Sequence, residues 1–391
     1  MSRIGAESAP RSAECVRMAE VAREVVARLP DDDVYAAFVF GSVAWGDADR
    51  ASDVDVTLCL DRPNDYREVS RVRVADVIGR PCPDGPLFAD VDRIAWPRFF
   101  VAVTGGAWHQ RVVHSIVVAD TDGAYAHLRD RVTAAFLAPE SRRARAAARR
   151  DLCLGYVEAA RQLVDADRTL AALHARLGLE AAAAAVLDAF GGRYSASHFL
   201  DGARRALDMI GRDDLHARLL RGLGLDSPDD AGVGKAVGAE AADRGMRAFH
   251  AFAEALRGWV AEPAVAAAMP AEDRAWAAFT YADETYEEVG HKLAVLRETG
   301  RYAEMAAYVD GLLVTPIRMN AGKILNLRGK GVVERPSTIE FHEMLRSEPL
   351  LFKEWAVGLR LHQERHDVLE AAVLILELLD TLDPVSRLRV T

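Results

Sequence analysis

Cysteine is scarce in this chain of 391 residues: four in all, Cys15, Cys59, Cys82 and Cys153, none in Cys-x-x-Cys spacing. The absence of that spacing argues against a disulfide framework or a structural zinc site. Lysine is scarcer still for its class, with five Lys against 44 Arg, a usage that reflects a GC-rich genome more than chemistry. No apolar run approaches the roughly 18 residues of a membrane span, and stretches such as Ala181–Leu187 are short. The first ten residues are polar and lack the apolar segment of a secretory signal, so a cytoplasmic protein without a membrane partner is expected. Positive charge is also in deficit. With 49 basic and 59 acidic side chains the formal charge is −10, which counts against a protein that coats nucleic acid. What is abundant is apolar surface: half of the residues are hydrophobic, too many for intrinsic disorder and enough for two or three cores.

The pattern changes near residue 140. Before it, strand-like runs at Val34–Phe40, Val54–Leu60 and Leu87–Ile94 alternate with helical spacing, and Phe99–Val103 and Val112–Ala119 are further strand candidates. Ser12–Leu29 reads as a helix ended by Pro30, and Tyr66–Ile78 also carries helical spacing. From Ser141 onward, Ala- and Leu-rich helical segments follow one another: Asp151–Leu177, Glu180–Phe190, Ala203–Ile210, Ala241–Trp259, Asp273–Thr299 and Leu361–Leu382. The expected organisation is an α/β (α+β) domain over residues 1–140, with a mixed sheet carrying helices on one side. A large all-α domain over 141–391 follows it.

One constellation carries chemistry. The strand Phe38-Val-Phe runs into Gly41-Ser42, Gly46 follows, and Ser52-Asp53-Val-Asp55 opens the next strand. Gly41 has no side chain, so a phosphate can approach its backbone. Ser42 adds a hydroxyl where backbone N–H groups are unpaired. Asp53 and Asp55 lie two apart on a strand, about 7 Å along it, and share a face. Two such carboxylates suit Mg²⁺, which takes oxygen ligands together with the oxygens of a triphosphate.

Gly41, Ser42, Gly46, Ser52, Asp53 and Asp55 resemble, position by position, the nucleotidyltransferase superfamily typified by DNA polymerase β and the antibiotic nucleotidyltransferases. The likeness is close over residues 38–56 and looser over the rest of the N-terminal part. It implies a third carboxylate from the strand Leu87–Ile94. Asp90 and Asp92 are both placed for it, and Asp92 is preferred because Val91 precedes it and Ile-Ala-Trp follows. The resemblance implies catalytic and metal-ligating roles for Asp53, Asp55 and Asp92, with nucleotide contacts from Gly41, Ser42, Ser52, Asp53 and Asp55. It further implies two Mg²⁺ ions and a nucleoside triphosphate, with ATP first. AMP would pass to a hydroxyl of a small, antibiotic-like acceptor such as an aminoglycoside or lincosamide, an antibiotic-resistance activity. The alternatives are nucleotidylation of a protein or an RNA end, as in toxin–antitoxin or tRNA-type relatives, and a nucleotide-binding relative without activity. The oligomeric state stays open, a homodimer included.

Other patterns are weaker. His362 and His366 are four apart, but Gln363 stands where a metalloprotease motif needs Glu. Gly232–Gly238 fits neither phosphate-loop spacing and reads as a flexible loop, and Ala321-Gly-Lys-Ile lacks the Walker Ser/Thr. Arg142, Arg143, Arg145, Arg149 and Arg150 form a solvated basic face or an anion contact. Met319–Arg335, which holds Lys323, Lys330 and Arg328, is a turn between helices or a lid over phosphates. The acids Asp283, Glu284, Glu287 and Glu288 form an exposed helical face or a seat for a cationic substrate. In relatives of the fold a Tyr and a basic residue of the helical part often reach the nucleotide, and Tyr194 and His198 stand in matching positions.

Overall fold

The computed structural model describes residues 13–50, 52–82, 86–190, 198–225 and 231–382, the segment 231–235 by its backbone only. Contacts divide the chain into two units: Met1–Ala138 with Ala282–Val295, and Pro139–Tyr281 with Leu296–Thr391. The segment 282–295, helical and distant in sequence, thus belongs with the N-terminal unit.

The first unit runs α1 (Ala13–Arg28), β1 (Val34–Phe40), α2 (Gly41–Trp45), β2 (Val54–Leu60), β3 (Arg67–Arg73), α3 (Val74–Ile78), β4 (Phe88–Ala95), α4 (Trp96–Thr104), α5 (His109–Val112), β5 (Ile116–Asp120) and α6 (Ala124–Leu137). The strands form one mixed sheet in the order β3-β4-β2-β1-β5. The β2–β4 pair is parallel and the other pairs are antiparallel.

The middle of β1, Ala36–Val39, is fully buried at four consecutive residues, so the sheet needs cover on both faces. Ala37, Val39, Val54, Val56, Leu58 and Val91 pack under α1, α2 and α3. Ala36, Phe38, Cys59 and Ile94 pack with Phe99, Val103, Leu128 and Val132 of α4 and α6. Helices therefore lie on both sides of the sheet, not on one side as the sequence reading expected.

Three other segments differ from expectation. Residues 67–73 of the expected helix Tyr66–Ile78 form the edge strand β3, whose Arg67, Arg71 and Arg73 alternate onto one face, and only Val74–Ile78 is helical. Phe99–Val103 lies in α4, where Pro97 starts the helix and Phe99 and Val103, four apart, both turn inward. The strand expected at Val112–Ala119 begins only at Ile116, because Val112 closes α5 and His114 takes a positive φ of 74°.

The second unit is helical: α7 (Pro139–Leu163), α8 (Arg168–Ala189), α9 (Phe199–Asp208), α10 (Asp213–Gly222), α11 (Ala231–Ala261), α12 (Pro263–Ala268) and α13 (Ala271–Tyr281). After α14 (Asp283–Glu298), which begins in the first unit, come α15 (Tyr302–Leu312), a π-helical turn at Leu313–Ile317 and α16 (Arg318–Lys330). The chain continues with α17 (Thr338–Arg346), α18 (Pro349–Gly358) and α19 (Arg365–Asp380). The π turn contains Pro316, which has no N–H for the α-helical ladder. Among the described residues α8 alone is long and apolar enough to cross a membrane, and 89% of its apolar window is buried inside the protein, as in a core helix. Gly232–Gly238, expected as a loop, lies within α11.

Candidate metal centre

The sequence ends β1 at Gly41, whose φ of +66° takes the chain sharply into α2. Gly46, at φ +89°, ends that helix, and its N–H and that of Asp47 both donate to the Ser42 carbonyl. Ser42 itself is buried. Ser52 is buried too and shapes the approach to β2. Its Oγ accepts from the Asp49 N–H at 3.0 Å while its own N–H donates to the Asp49 carbonyl at 3.0 Å.

Asp55 is paired with Phe40 across the β1–β2 ladder and with Asp90 across the parallel β2–β4 ladder. Two residues earlier, just before β2, Asp53 brings its carboxylate to the same place. Asp53, Asp55 and Asp90 are half-buried, and each offers an oxygen within 4.8 Å of the others'. Gly41 closes the fourth side. A Cβ there would lie 3.0 Å from Asp55 Cγ and nearer still to Oδ2.

Asp92 is not in this cluster. It pairs with Thr57, two residues further along the ladder, and is buried between two guanidinium groups. Arg67 grips it through two bonds of 3.0 Å, and Arg111 donates to it at 2.6 Å. Both arginines also lie over the Trp108 ring, at 5.0 and 5.7 Å from its centre. The carboxylate that the geometry gathers with Asp53 and Asp55 is therefore Asp90, and the preference for Asp92 is corrected. The two residues share a face, as their spacing requires, but strand register puts Asp90 level with Asp55.

Sequence reasoning missed the cationic half of the site. Arg71 on β3 holds Asp90 with bonds of 2.6 and 2.7 Å and reaches Glu288 of α14 at 2.9 Å. Lys292, one turn beyond Glu288, pairs with it at 2.8 Å and with Asp53 at 3.2 Å. The signals were present: arginines at 67, 71 and 73, all of one parity, and one of only five lysines four residues after a glutamate. Of the acids read as one helical face, Glu287 and Glu284 pair with Arg73, while Glu288 is buried.

The electrostatics follow. Burial raises the Asp55 carboxyl well above the usual range, and the charges of Asp53 and Asp90 add to that. Burial likewise pushes Asp90 up to about 6 against the pull of Arg71. Burial works on Asp53 too, but Lys292 and Arg71 override it and hold that carboxyl low. Asp92 is low for the same kind of reason, with Arg67 and Arg111 outweighing burial. Three carboxylates (Asp53, Glu288 and Asp90) are thus joined through two cations, Lys292 and Arg71, and Asp55 lies beside Asp53 and Asp90 in the cluster. Clustered hard oxygen donors with surplus negative charge fit a divalent cation such as Mg²⁺.

The remaining sequence signals lie elsewhere. Tyr194 falls outside the described residues, and His198 accepts from Arg301 at 2.9 Å. His362 precedes α19 while His366 begins it and pairs with Glu370 at 3.0 Å, so the two do not share a helix face. Lys323, Lys330 and Arg328 sit on α16 and pair with Asp273, Glu340 and both Glu262 and Glu348. Arg149 pairs with Asp188 at 2.6 Å.

Residues 18–80 match the family model of the nucleotidyltransferase domain, a span that includes Gly41, Ser42, Asp53, Asp55 and Arg71. No curated protein matches the chain. Motif, mixed sheet and carboxylate cluster agree, and the N-terminal unit contains a domain of the nucleotidyltransferase superfamily.

Proposed function

We propose that the protein is a Mg²⁺-dependent nucleotidyltransferase that moves AMP from ATP to a hydroxyl of a small, antibiotic-like acceptor. The observation that carries the reading is the convergence of Asp53, Asp55 and Asp90 beside Gly41 and Ser42. Asp53, Asp55 and Asp90 would hold the metal, with Asp90 in the part that the sequence reading gave to Asp92. When bound, the metal neutralises phosphate charge and the charge that develops on departing pyrophosphate.

This chain supplies position. Gly41, lacking a side chain, lets the Asp55 carboxylate close against its backbone, and the half-buried cluster would set where the α-phosphorus lies. The acceptor oxygen attacks that phosphorus as its bond to pyrophosphate breaks, pyrophosphate leaves, and the acceptor hydroxyl gives up its proton to solvent water. Asp92, saturated by two guanidinium groups, is a weak base and is assigned no part in that transfer. The acidic balance of the chain supports a small acceptor over RNA.

The test is release of pyrophosphate from ATP with Mg²⁺, with and without a panel of aminoglycosides and lincosamides. Stimulation by a panel member supports the proposal. Label from ATP that appears only in protein or RNA overturns the acceptor, and release unchanged in an Asp53→Asn/Asp55→Asn variant overturns the site.

A further inference from the structure

Lys292 stands in an unusual place for an ammonium group. Its side chain is 8% exposed, and it bridges Glu288 on its own helix to Asp53, just before β2. Arg71 bridges the same Glu288 to Asp90. The result is a chain of alternating charge, Asp53–Lys292–Glu288–Arg71–Asp90, in which α14 supplies the middle. The two cations are not equivalent. Arg71 grips Asp90 through two short bonds, a fixed fork that is hard to open. Lys292 meets Asp53 through one longer bond, on a flexible stem, and keeps a shorter bond to Glu288. Leaving Asp53 would not strand it as an isolated buried charge, so departure escapes the large penalty of an unpaired ion.

We propose that Lys292 is the internal counter-ion of the acidic cluster, competing with the divalent cation for Asp53 and giving that carboxylate up when the cation arrives. This rests on the reading of Asp53, Asp55 and Asp90 as metal ligands and adds a residue that sets their affinity. Glu288 is its second anchor: it retains Lys292 and, through Arg71, keeps Asp90 in place.

Mn²⁺ binding, followed by electron paramagnetic resonance on the full chain without nucleotide, tests this. Wild type binds Mn²⁺, and Asp55→Asn abolishes binding. Lys292→Met binds about tenfold more tightly, because one competing positive charge a few ångströms away has gone. Affinity that is unchanged or weaker in Lys292→Met, with wild type and Asp55→Asn behaving as stated, overturns the role of Lys292 and leaves the metal site standing. Wild type that fails to bind, or Asp55→Asn that still binds, overturns both. A second measurement needs no variant. Lysine acetylation read by mass spectrometry shows Lys292 several-fold more reactive when Mn²⁺ saturates the protein, with Lys323 and Lys330 unchanged. Equal Lys292 reactivity with and without Mn²⁺ overturns the proposal even if Lys292→Met does not fold.

Discussion

Gly41 and Asp55 are packed so closely that no side chain fits between them: a Cβ on Gly41 would fall 3.0 Å from Asp55 Cγ and closer to Oδ2. Gly41 also holds φ at +66°, where an L side chain is strained by about 1–2 kcal/mol. Gly41→Ala therefore combines backbone strain with displacement of a carboxylate. Turnover is expected to fall at least about a hundredfold, as when a reacting group is misplaced by about an ångström. Mn²⁺ affinity falls with it, while thermal unfolding of the helical unit stays where it was. A Gly41→Ala protein with wild-type turnover would show that Asp55 can yield without consequence.

Asp90 and Asp92 separate cleanly by experiment. Asp90→Asn removes a member of the cluster, so Mn²⁺ binding weakens strongly. Asp92→Asn leaves the cluster intact but strips Arg67 and Arg111 of their shared carboxylate, and Arg67 is only 9% exposed. Breaking such a pair costs about 3 kcal/mol, so urea unfolding of the N-terminal unit shifts while Mn²⁺ affinity stays within a few-fold. If Asp92→Asn abolished Mn²⁺ binding, the ladder register would have misassigned the third ligand.

How far the sequence disclosed this site depended on what each residue answers to. Gly41, Asp53 and Asp55 lie in one local turn and strand, so spacing alone placed them together. Asp90 and Asp92 have the same parity, and only the pairing of β4 with β2 tells them apart. That pairing is a long-range fact, invisible to periodicity. Arg67–Arg73 misled for a related reason. A half-buried edge strand carries charges, not Val and Ile, when those charges serve a polar face. Glu288 looked like a solvated helix charge, and Lys292 went unnoticed, because Arg71 and Asp53, which they meet, lie more than 200 positions away. The strands β1 and β2 were readable because burial on both faces demands apolar runs, and β4 because its apolar residues alternate with Asp90 and Asp92.

In the helical unit, Asp310 is the shared acceptor of two buried arginines. Arg176 of α8 donates to Asp310 Oδ2, and Arg360, just beyond α18, reaches the same oxygen at 2.5 Å. Arg360 also donates to the Leu223 carbonyl at 3.1 Å, so the group ties α15 to the ends of α10 and α18. Asp310→Asn keeps the shape and removes the charge, leaving two guanidinium groups to share Glu180, which lies 3.2 Å from Arg176. The expected loss is about 3–5 kcal/mol, read as a lower urea midpoint for the helical unit. A loss below about 1 kcal/mol would mean that water or Glu180 takes over the pairing.

Glu304 gives the same unit a pH dependence of unusual sign. It lies on α15 and accepts from the N–H groups of Asp201, at 2.6 Å, and Leu200, at 3.3 Å, in the first turn of α9. Burial raises its pKa from 4.5 to about 7, although the two N–H groups and Arg301 oppose the shift. Between about pH 4.5 and 7 the folded chain therefore keeps a proton that the unfolded chain has lost, so this group's contribution to stability falls as pH rises through that window. The difference across it is on the order of 3 kcal/mol. His174 and His216, whose pKa values burial lowers, act the opposite way: their contribution is lost as pH falls below about 6.5. The two trends overlap in the wild-type profile and separate in Glu304→Gln, whose amide oxygen can still accept from α9 and does not titrate. Subtracting the variant's urea stability from that of wild type at each pH should give a curve that declines from pH 5 to pH 7.5. A flat difference would mean that Glu304 is ionised throughout, with the α9 N-terminus, where the helix dipole favours negative charge, able to carry it.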